Sequence, residues 1–522
     1  MSAPTDDAAI TAPTDTDPAE QPWRRLSVRV VWVDLAKTVL SLAPGVVAVG
    51  FFDVEPTLST LWPLLLVALF GGLGAVTDIV RWAFTSYRVT ETEIQRRTGA
   101  FVRRHRTVHL DRIRSVDTHA KLRHRAAGLR VVTVGAGQQN GAGEAALLLD
   151  ALSKDDAARL RRELLGLAAP AAENADTEPD AEVLATLRPW WVVYNMFSVW
   201  AYLMAAGLLW GLFWLVSTFG VDLYGAASRA ADWDALGWLG VTVAVLVVGG
   251  AVGAIGMGVN FFTAYWKFEL ARVRTGGSTH LRTRRGLFST REVNRDEARL
   301  RGLSIGEPLL WRWMGMADTN VITTGLSVWD MEQPTAILPR GPVRVARRVA
   351  ARVLGDPCPL DAPLPRHPRA ALRRRLWWAT AIGMVPPAAV AVPVASGSAS
   401  PWVLWAAFGL WPLALSGAVF AYLALGHAIA GEYLVVRSGL MSRTTSALRC
   451  DAVSTIAVRQ SILQRRLGLS TVSAMTAAGW SAYEAPDVAA GEAVGFAAQA
   501  APGLIDEFAE GLGDDGGHVR ID

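Results

Sequence analysis

Residues 439–468 read GLMSRTTSALRCDAVSTIAVRQSILQRRLG, and the glycines at their two ends stand 29 positions apart. The same separation recurs between Gly99 and Gly128 and between Gly286 and Gly315. Apolar positions inside the three windows coincide: Ile113, Leu300 and Val453; Val116, Leu303 and Ile456; Leu122, Leu309 and Ile462. One arginine recurs three residues before the second glycine, as Arg125, Arg312 and Arg465. Matched spacing in three segments marks an internal repeat, so one supersecondary unit is expected three times.

Upstream of each window lies a pair of apolar runs, near 39–52 and 61–76, 190–218 and 236–263, and 376–394 and 402–425. An uncharged stretch of about 18 residues or more reads as a membrane helix, because a charge at the bilayer centre costs roughly 2.5–3.5 kcal/mol. The first two runs are shorter. Asp34 and Lys37, and Asp78 and Arg81, flank them and can snorkel to extend those helices. Tryptophan is frequent, 21 of 522 residues, and gathers at run edges such as Trp190, Trp191, Trp266, Trp377 and Trp378, as an interfacial belt does. A mean hydropathy of +0.26 is too apolar for an ordinary soluble enzyme.

The turn between the first two runs holds Asp53 and Glu55 and no base, whereas Arg24, Arg25, Arg29, Arg188, Lys267 and Arg373–Arg374–Arg375 flank the opposite ends. The positive-inside rule therefore expects both termini and all three modules in the cytoplasm of a multi-pass plasma-membrane protein. The expected divisions are an acidic disordered tail over 1–22, a hairpin over 23–84, a module over 85–167, a linker over 168–187, a hairpin over 188–264, a module over 265–354, a linker over 355–375, a hairpin over 376–426, a module over 427–512 and a tail over 513–522. No secretory signal is read at the start.

Within the modules, 87–97 alternates apolar and polar residues like a strand, and 129–134, 319–323 and 469–475 are β-branched-rich strands ending before glycine. Each module closes with a helix: Ser153 caps the first, Pro342 starts the second, and 489–501 forms the third, with a further turn over 504–512. A small antiparallel sheet capped by that helix is the economical fold.

The turns Gly286-Leu287-Phe288-Ser289-Thr290 and Gly439-Leu440-Met441-Ser442-Arg443, with the later segments 122–129 and 463–469, resemble the bacterial pleckstrin-homology (PH) membrane proteins of the YdbS/YdbT-like group. The resemblance covers nearly everything from Trp23 to Leu512 and departs most in the second module, at Gly306-Glu307-Pro308. It implies an α+β membrane protein with six transmembrane helices as three hairpins, each followed by a PH-like β-roll capped by a C-terminal helix. It implies no catalytic residues, and points to envelope maintenance or antimicrobial-stress tolerance.

Catalytic signals are weak. Gly302-Leu303-Ser304-Ile305-Gly306 has nucleophile-elbow spacing, yet the equivalent positions in the other windows lack both glycines. The Gly-rich 135–141 is read as a strand-connecting loop. His105 and His109 sit in strand context without a partner carboxylate, and Cys358 and Cys450 have no metal spacing, so no metal or other cofactor is expected.

Basic residues carry the functional signal. Over 85–130 there are 12 Lys/Arg against 4 Asp/Glu, over 265–315 11 against 5, and over 427–468 6 against 2. A juxtamembrane cation near an anionic leaflet is worth about 1 kcal/mol. The lipid-facing candidates are Arg96, Arg97, Arg103, Arg104 and Arg106, and Arg282, Arg284 and Arg285; Arg125, Arg312 and Arg465 are expected to be structural. The chain thus reads as a non-enzymatic scaffold or sensor at the inner leaflet. Its expected partners are anionic head groups, with a homo-oligomer or membrane-protein partner allowed and nucleic acid excluded. The alternative is a transporter or lipid-moving protein using a groove between hairpins.

Overall fold

A computed structural model describes residues 22–51, 58–100, 102–110, 113, 115–135, 147–164, 181–196, 200–218, 223–230, 233–275, 278–323 and 335–504. The first repeat runs β1 (Arg24–Arg25), α1 (Arg29–Phe51), α2 (Leu58–Ala83), β2 (Ser86–Val89), β3 (Glu93–Thr98), β4 (Arg104–His109), β5 (Ser115–Lys121), α3 (Leu122–Ala126), β6 (Leu129–Gly135), β7 (Leu147–Ser153) and α4 (Lys154–Leu164). The second runs β8 (Ala181–Thr186), α5 (Val193–Met196), α6 (Trp200–Thr218), α7 (Leu223–Ala230), α8 (Trp233–Tyr265), β9 (Glu269–Thr275), β10 (Ser278–Arg285), β11 (Ser289–Asp296), β12 (Leu300–Pro308), β13 (Met316–Thr323), β14 (Gly341–Pro342) and α9 (Val343–Leu354). The third runs α10 (Arg369–Gly383), α11 (Val385–Ala395), α12 (Pro401–Phe408), α13 (Leu410–Leu423), β15 (Gly426–Ala430), β16 (Tyr433–Ser438), β17 (Ser442–Arg449), β18 (Thr455–Arg459), α14 (Ile462–Arg466), β19 (Leu469–Met475), β20 (Ala482–Ala489) and α15 (Ala490–Ala500).

The repeated glycines have a backbone cause. Gly128, Gly315 and Gly468 sit at φ 69°, 69° and 66°, and each closes a short helical turn by donating its N–H to the carbonyl of the repeated arginine. That left-handed cap favours glycine, which lacks the Cβ that clashes there. Gly99, Gly286 and Gly439 sit at φ 107°, 108° and 111°, where a Cβ would lie 1.9–2.0 Å from the carbonyl oxygen three residues on.

Two compact units divide the chain: one draws on 1–113, 123–132 and 147–160, the other on 114–122, 133–146 and 161–522. In the first, β1–β2–β3–β4 form an antiparallel sheet. The single strand expected over 87–97 is two strands, because the Thr90 N–H donates to Glu93 O (2.8 Å) and the Glu93 N–H to Thr90 Oγ1 (3.1 Å), reversing the chain. A tight turn preserves alternation, so the pattern hid it. Helices α1 and α2 meet where Thr38 Oγ1 donates to Gly71 O (3.3 Å), and Trp82 Nε1 donates to Leu26 O (2.9 Å). Ser153 caps α4, accepting from Asp156 N at 3.1 Å.

In the second unit the strands do not stay within their repeats. β5 pairs with β11, continuing an antiparallel run through β10 and β9 to β8. Likewise β12 pairs with β17, so β14–β13–β12 and β17–β16–β15 make one six-stranded sheet. A third sheet is β18–β19–β20. Thus the first half of each later repeat is completed by an edge of the repeat before it. Successive modules therefore share sheets across the repeat boundaries. Residues 302–306 lie flat within β12, paired on both sides, so the serine there is on no strand-to-helix elbow.

Helix α9 lays Ala346, Val349 and Ala350 onto Leu303, Ile305, Val321, Val435 and Ala447. Helix α15 lays Ala493, Ala497 and Ala500 onto Val472, Ala474 and Val488. A fully buried Leu or Val is worth about 1.5–3 kcal/mol, so these faces hold the helices down. The extra turn expected over 504–512 and the loop over 135–141 lie almost wholly outside the described residues.

Among the described residues, three helical stretches are long and apolar enough to cross a membrane: Ala235–Tyr265, Arg369–Ala395 and Pro401–Leu423. Pro189–Met196 with Trp200–Trp214 makes a fourth if that bent pair is one span. Their Trp210, Trp238, Val247, Val392 and Trp405 are exposed. An apolar surface of this extent suits lipid, since soluble monomers rarely expose contiguous patches beyond a few hundred Å². Small residues bring helices close: a Cβ on Gly253 of α8 would lie 2.0 Å from Ala201 O of α6, and one on Gly383 of α10 would lie 3.1 Å from Trp411 of α13. A Cβ on Gly256 would likewise lie 2.8 Å from Leu208 of α6, so both glycines serve packing within the chain.

Candidate functional site

The β10–β11 turn of the second repeat sits at the end of α8. Gly286 N–H donates to Trp266 O and Leu287 N–H to Thr263 O, both at 2.9 Å, which seats the turn on the last turn of α8. The Arg285 guanidinium lies 4.7 Å from the centre of the Tyr265 ring, a cation–π contact. Arg284 is exposed, as is Phe288 at the tip. An apolar tip flanked by arginines, at the end of an apolar helix, matches the chemistry of a head-group layer. In the third repeat the corresponding turn behaves alike: Leu440 lies 3.6 Å from the Cβ position of Gly417 on α13, Met441 is exposed, and Arg437 donates to Ala424 O (3.3 Å).

The other basic candidates scatter. Arg282 is half-buried and 3.6 Å from Glu269. Arg96 donates to Leu148 O (2.5 Å); burial, with Arg81 and Arg106 nearby, lowers its pKa from the ordinary arginine value. Arg97 is paired across strands with His105, while Arg103 and Arg104 are exposed on the chain's outer β4 edge, with Arg106 half-buried. Of the repeated arginines, Arg312 donates to Glu307 O (3.4 Å), and Arg125 and Arg465 have exposed side chains.

Sequence reasoning missed three buried polar groups. Asp117 of β5 is fully buried at the β5–β11 junction and accepts from Arg291 Nε at 2.8 Å. Burial drives its pKa up to about 6 against the pull of Arg291, Arg295 and Arg285. Buried Arg295 donates to Thr283 Oγ1 (3.1 Å), and burial brings its pKa down to about 10. The β12–β17 junction carries an arginine–carboxylate contact at a different position, Glu307 with Arg443. The signal available was a carboxylate placed within a strand.

The second missed group is Asp487 of β20, fully buried at φ 63° and clamped by Arg374 (2.5 Å) and Arg375 (3.2 Å) of α10. Gln464 Nε2 also donates to it at 3.0 Å. A basic cluster read as flanking charge thus ties a membrane helix to the folded sheet. Beside Arg374 opens a cleft of about 410 Å³, lined also by Arg459, Gln460, Gln464 and Glu484. The third is His367, whose Nε2 lies 3.0 Å from His427 Nδ1; burial first, then His427, lowers the His367 pKa to about 4. Among the described residues no group of three or more His, Cys, Asp or Glu is placed to hold a metal.

The family described as "Bacterial PH domain" matches residues 39–168 and 381–501, that is, the first and third repeats. The chain is 22% identical over 476 residues to the UPF0699 transmembrane protein YdbT of Bacillus subtilis (strain 168), covering 86% of this chain and 92% of that protein. No solved structure matches.

Proposed function

We propose that this YdbT-like membrane protein with bacterial PH domains is a non-catalytic scaffold or sensor of the inner leaflet, threaded six times as three hairpins with both termini and three PH-like modules in the cytoplasm. The observation that carries the reading is the seating of the β10–β11 turn on the end of α8, with exposed Phe288 at its tip and Arg284 and Arg285 at its base. Such a tip puts an apolar side chain into the acyl boundary and its arginines among phosphates, each cation worth about 1 kcal/mol near an anionic surface. The Arg374–Asp487–Arg375 clamp supports a sensing role, since it couples a membrane helix to a sheet without a flexible hinge. The second repeat counts as a PH-like module because its capped turns repeat those of the matched third.

The test uses the whole chain, because excising one module would cut a paired sheet. Full-length protein carrying a fluorophore at position 288 is reconstituted with and without anionic lipid, at low and high salt, with a quencher held at the head-group level. Strong quenching that rises with anionic lipid and weakens in Arg284→Gln/Arg285→Gln supports the reading. Quenching that is absent, or unchanged by lipid charge and salt, overturns it. Movement of solute or lipid across the reconstituted bilayer would replace it with transport.

A further inference from the structure

The two inter-repeat junctions share one register. In the first, Val293 faces Asp117 and Arg291 faces His119; in the second, Ser446 faces Ser304 and Arg443 faces Glu307. Placed on the repeat alignment, β11 and β17 both correspond to β4, and β5 and β12 both correspond to β18. Every residue pair of one junction maps onto a residue pair of the other. Yet β4 and β18 are each the last strand of their sheets, with no described strand beyond them.

The charges on β4 state what fits it. At the first junction the arginine contacting the partner's carboxylate is Arg291, the counterpart of Arg104; at the second it is Arg443, the counterpart of Arg103. Arg103 immediately precedes β4 and Arg104 begins it, and both are exposed. We propose that β4 is a docking edge for an antiparallel strand of another protein that bears carboxylates opposite Arg103 and opposite Arg106.

A second copy of this chain is the poorer occupant. Its free edge β18 would place Gln460 opposite Arg103, Ala457 opposite Arg106 and Arg459 opposite Arg104 in the shared register. Like charges directly opposite each other destabilise a strand pair. Basic residues on an edge strand also discourage indiscriminate pairing. The same charges that repel a neutral or basic strand select one with carboxylates, which is how specificity is built at an interface. Backbone bonds then supply affinity and the arginines supply register.

The probe is a synthetic peptide of residues 114–122 carrying Ala120→Glu, so that Asp117 and the new glutamate face Arg106 and Arg103. It is added to the full-length protein in nanodiscs, and amide hydrogen exchange is followed over residues 104–109. The expected result is exchange slowed several-fold, with no slowing for the peptide carrying Asp117→Lys and Ala120→Lys or for the Arg103→Glu/Arg106→Glu protein. Fluorescence anisotropy of the labelled peptide is the second measurement, with reverse-charge pairing (lysine peptide on glutamate protein) expected to restore binding. Unchanged exchange and no binding overturn the proposal. Protection that appears without peptide and follows anionic lipid content assigns β4 to the membrane instead. Concentration-dependent self-association that crosslinks β4 to β18 assigns it to a second copy.

Discussion

The β5–β11 and β12–β17 junctions align the same positions in the same register, yet they are held by different chemistry. The first buries an ionised network, with Asp117 fully sequestered beneath Arg291 and near Arg295. The second is dressed with Ser304, Ser446, Thr444 and Thr445 and flanked by Leu303, Ala447 and Leu448, its one ion pair lying at the far end of the strand. Common register with unlike side chains means that backbone pairing and the apolar face set the alignment. The charges add selectivity on top, because a pair in low dielectric is costly unless both members are present.

The largest break in that comparison should come from Asp117→Ala, which removes the carboxylate facing half-buried Arg291 and buried Arg295. A loss of about 3–5 kcal/mol is expected. Hydrogen exchange should accelerate in residues 289–296 while 442–449 stay protected. The converse is Gly302→Ala, whose new Cβ would lie 1.9 Å from Ala447 O across the second junction. Such overpacking costs about 1–3 kcal/mol, and here the exchange should quicken in 442–449 and not in 289–296. If either variant loosens both junctions equally, the two are one cooperative unit and the distinction fails.

A smaller effect, about 1 kcal/mol in thermal or denaturant melts, is expected for Glu307→Gln, which keeps shape but loses a partly exposed ion pair with Arg443. The smallest is a pH effect. The Asp117 pKa is raised from 3.8 to about 6, so the folded state takes up the proton before the unfolded chain does. Its stabilising contribution is full below the unfolded value and is lost as pH rises through about 6. Between about pH 7.5 and about pH 6.5 acidification should therefore add only about 0.1 kcal/mol through this group. Asp117→Asn should abolish that increment; an equal increment in the variant would assign it elsewhere.

Much of this was written in local sequence. The glycine spacing announced three equal turns because a positive φ and a carbonyl 1.9–2.0 Å from any Cβ leave little choice of residue. The closing helices followed from Ser153, Pro342 and the alanines of α15 for the same reason: a cap or an apolar stripe acts within a few residues. Partner choice between strands acts over longer distances. Nothing in 115–121 says whether its outer edge meets its own repeat or residues 289–295, because both offer an antiparallel backbone of similar pattern. Asp117 and Asp487 were passed over likewise, since their significance lies in arginines 174 and 113 positions away. The arginines of 373–375 were read from composition as a membrane flank, and two of them serve also as the clamp on Asp487.

Strand pairing across repeats changes what counts as an exchangeable part. Anyone shortening, lengthening or transplanting this architecture should cut within a repeat, between β4 and β5 or between β11 and β12, so that each mated pair travels together. A cut at the linkers, where composition alone would place it, would instead strip a strand from its mate and leave a raw seam on both fragments.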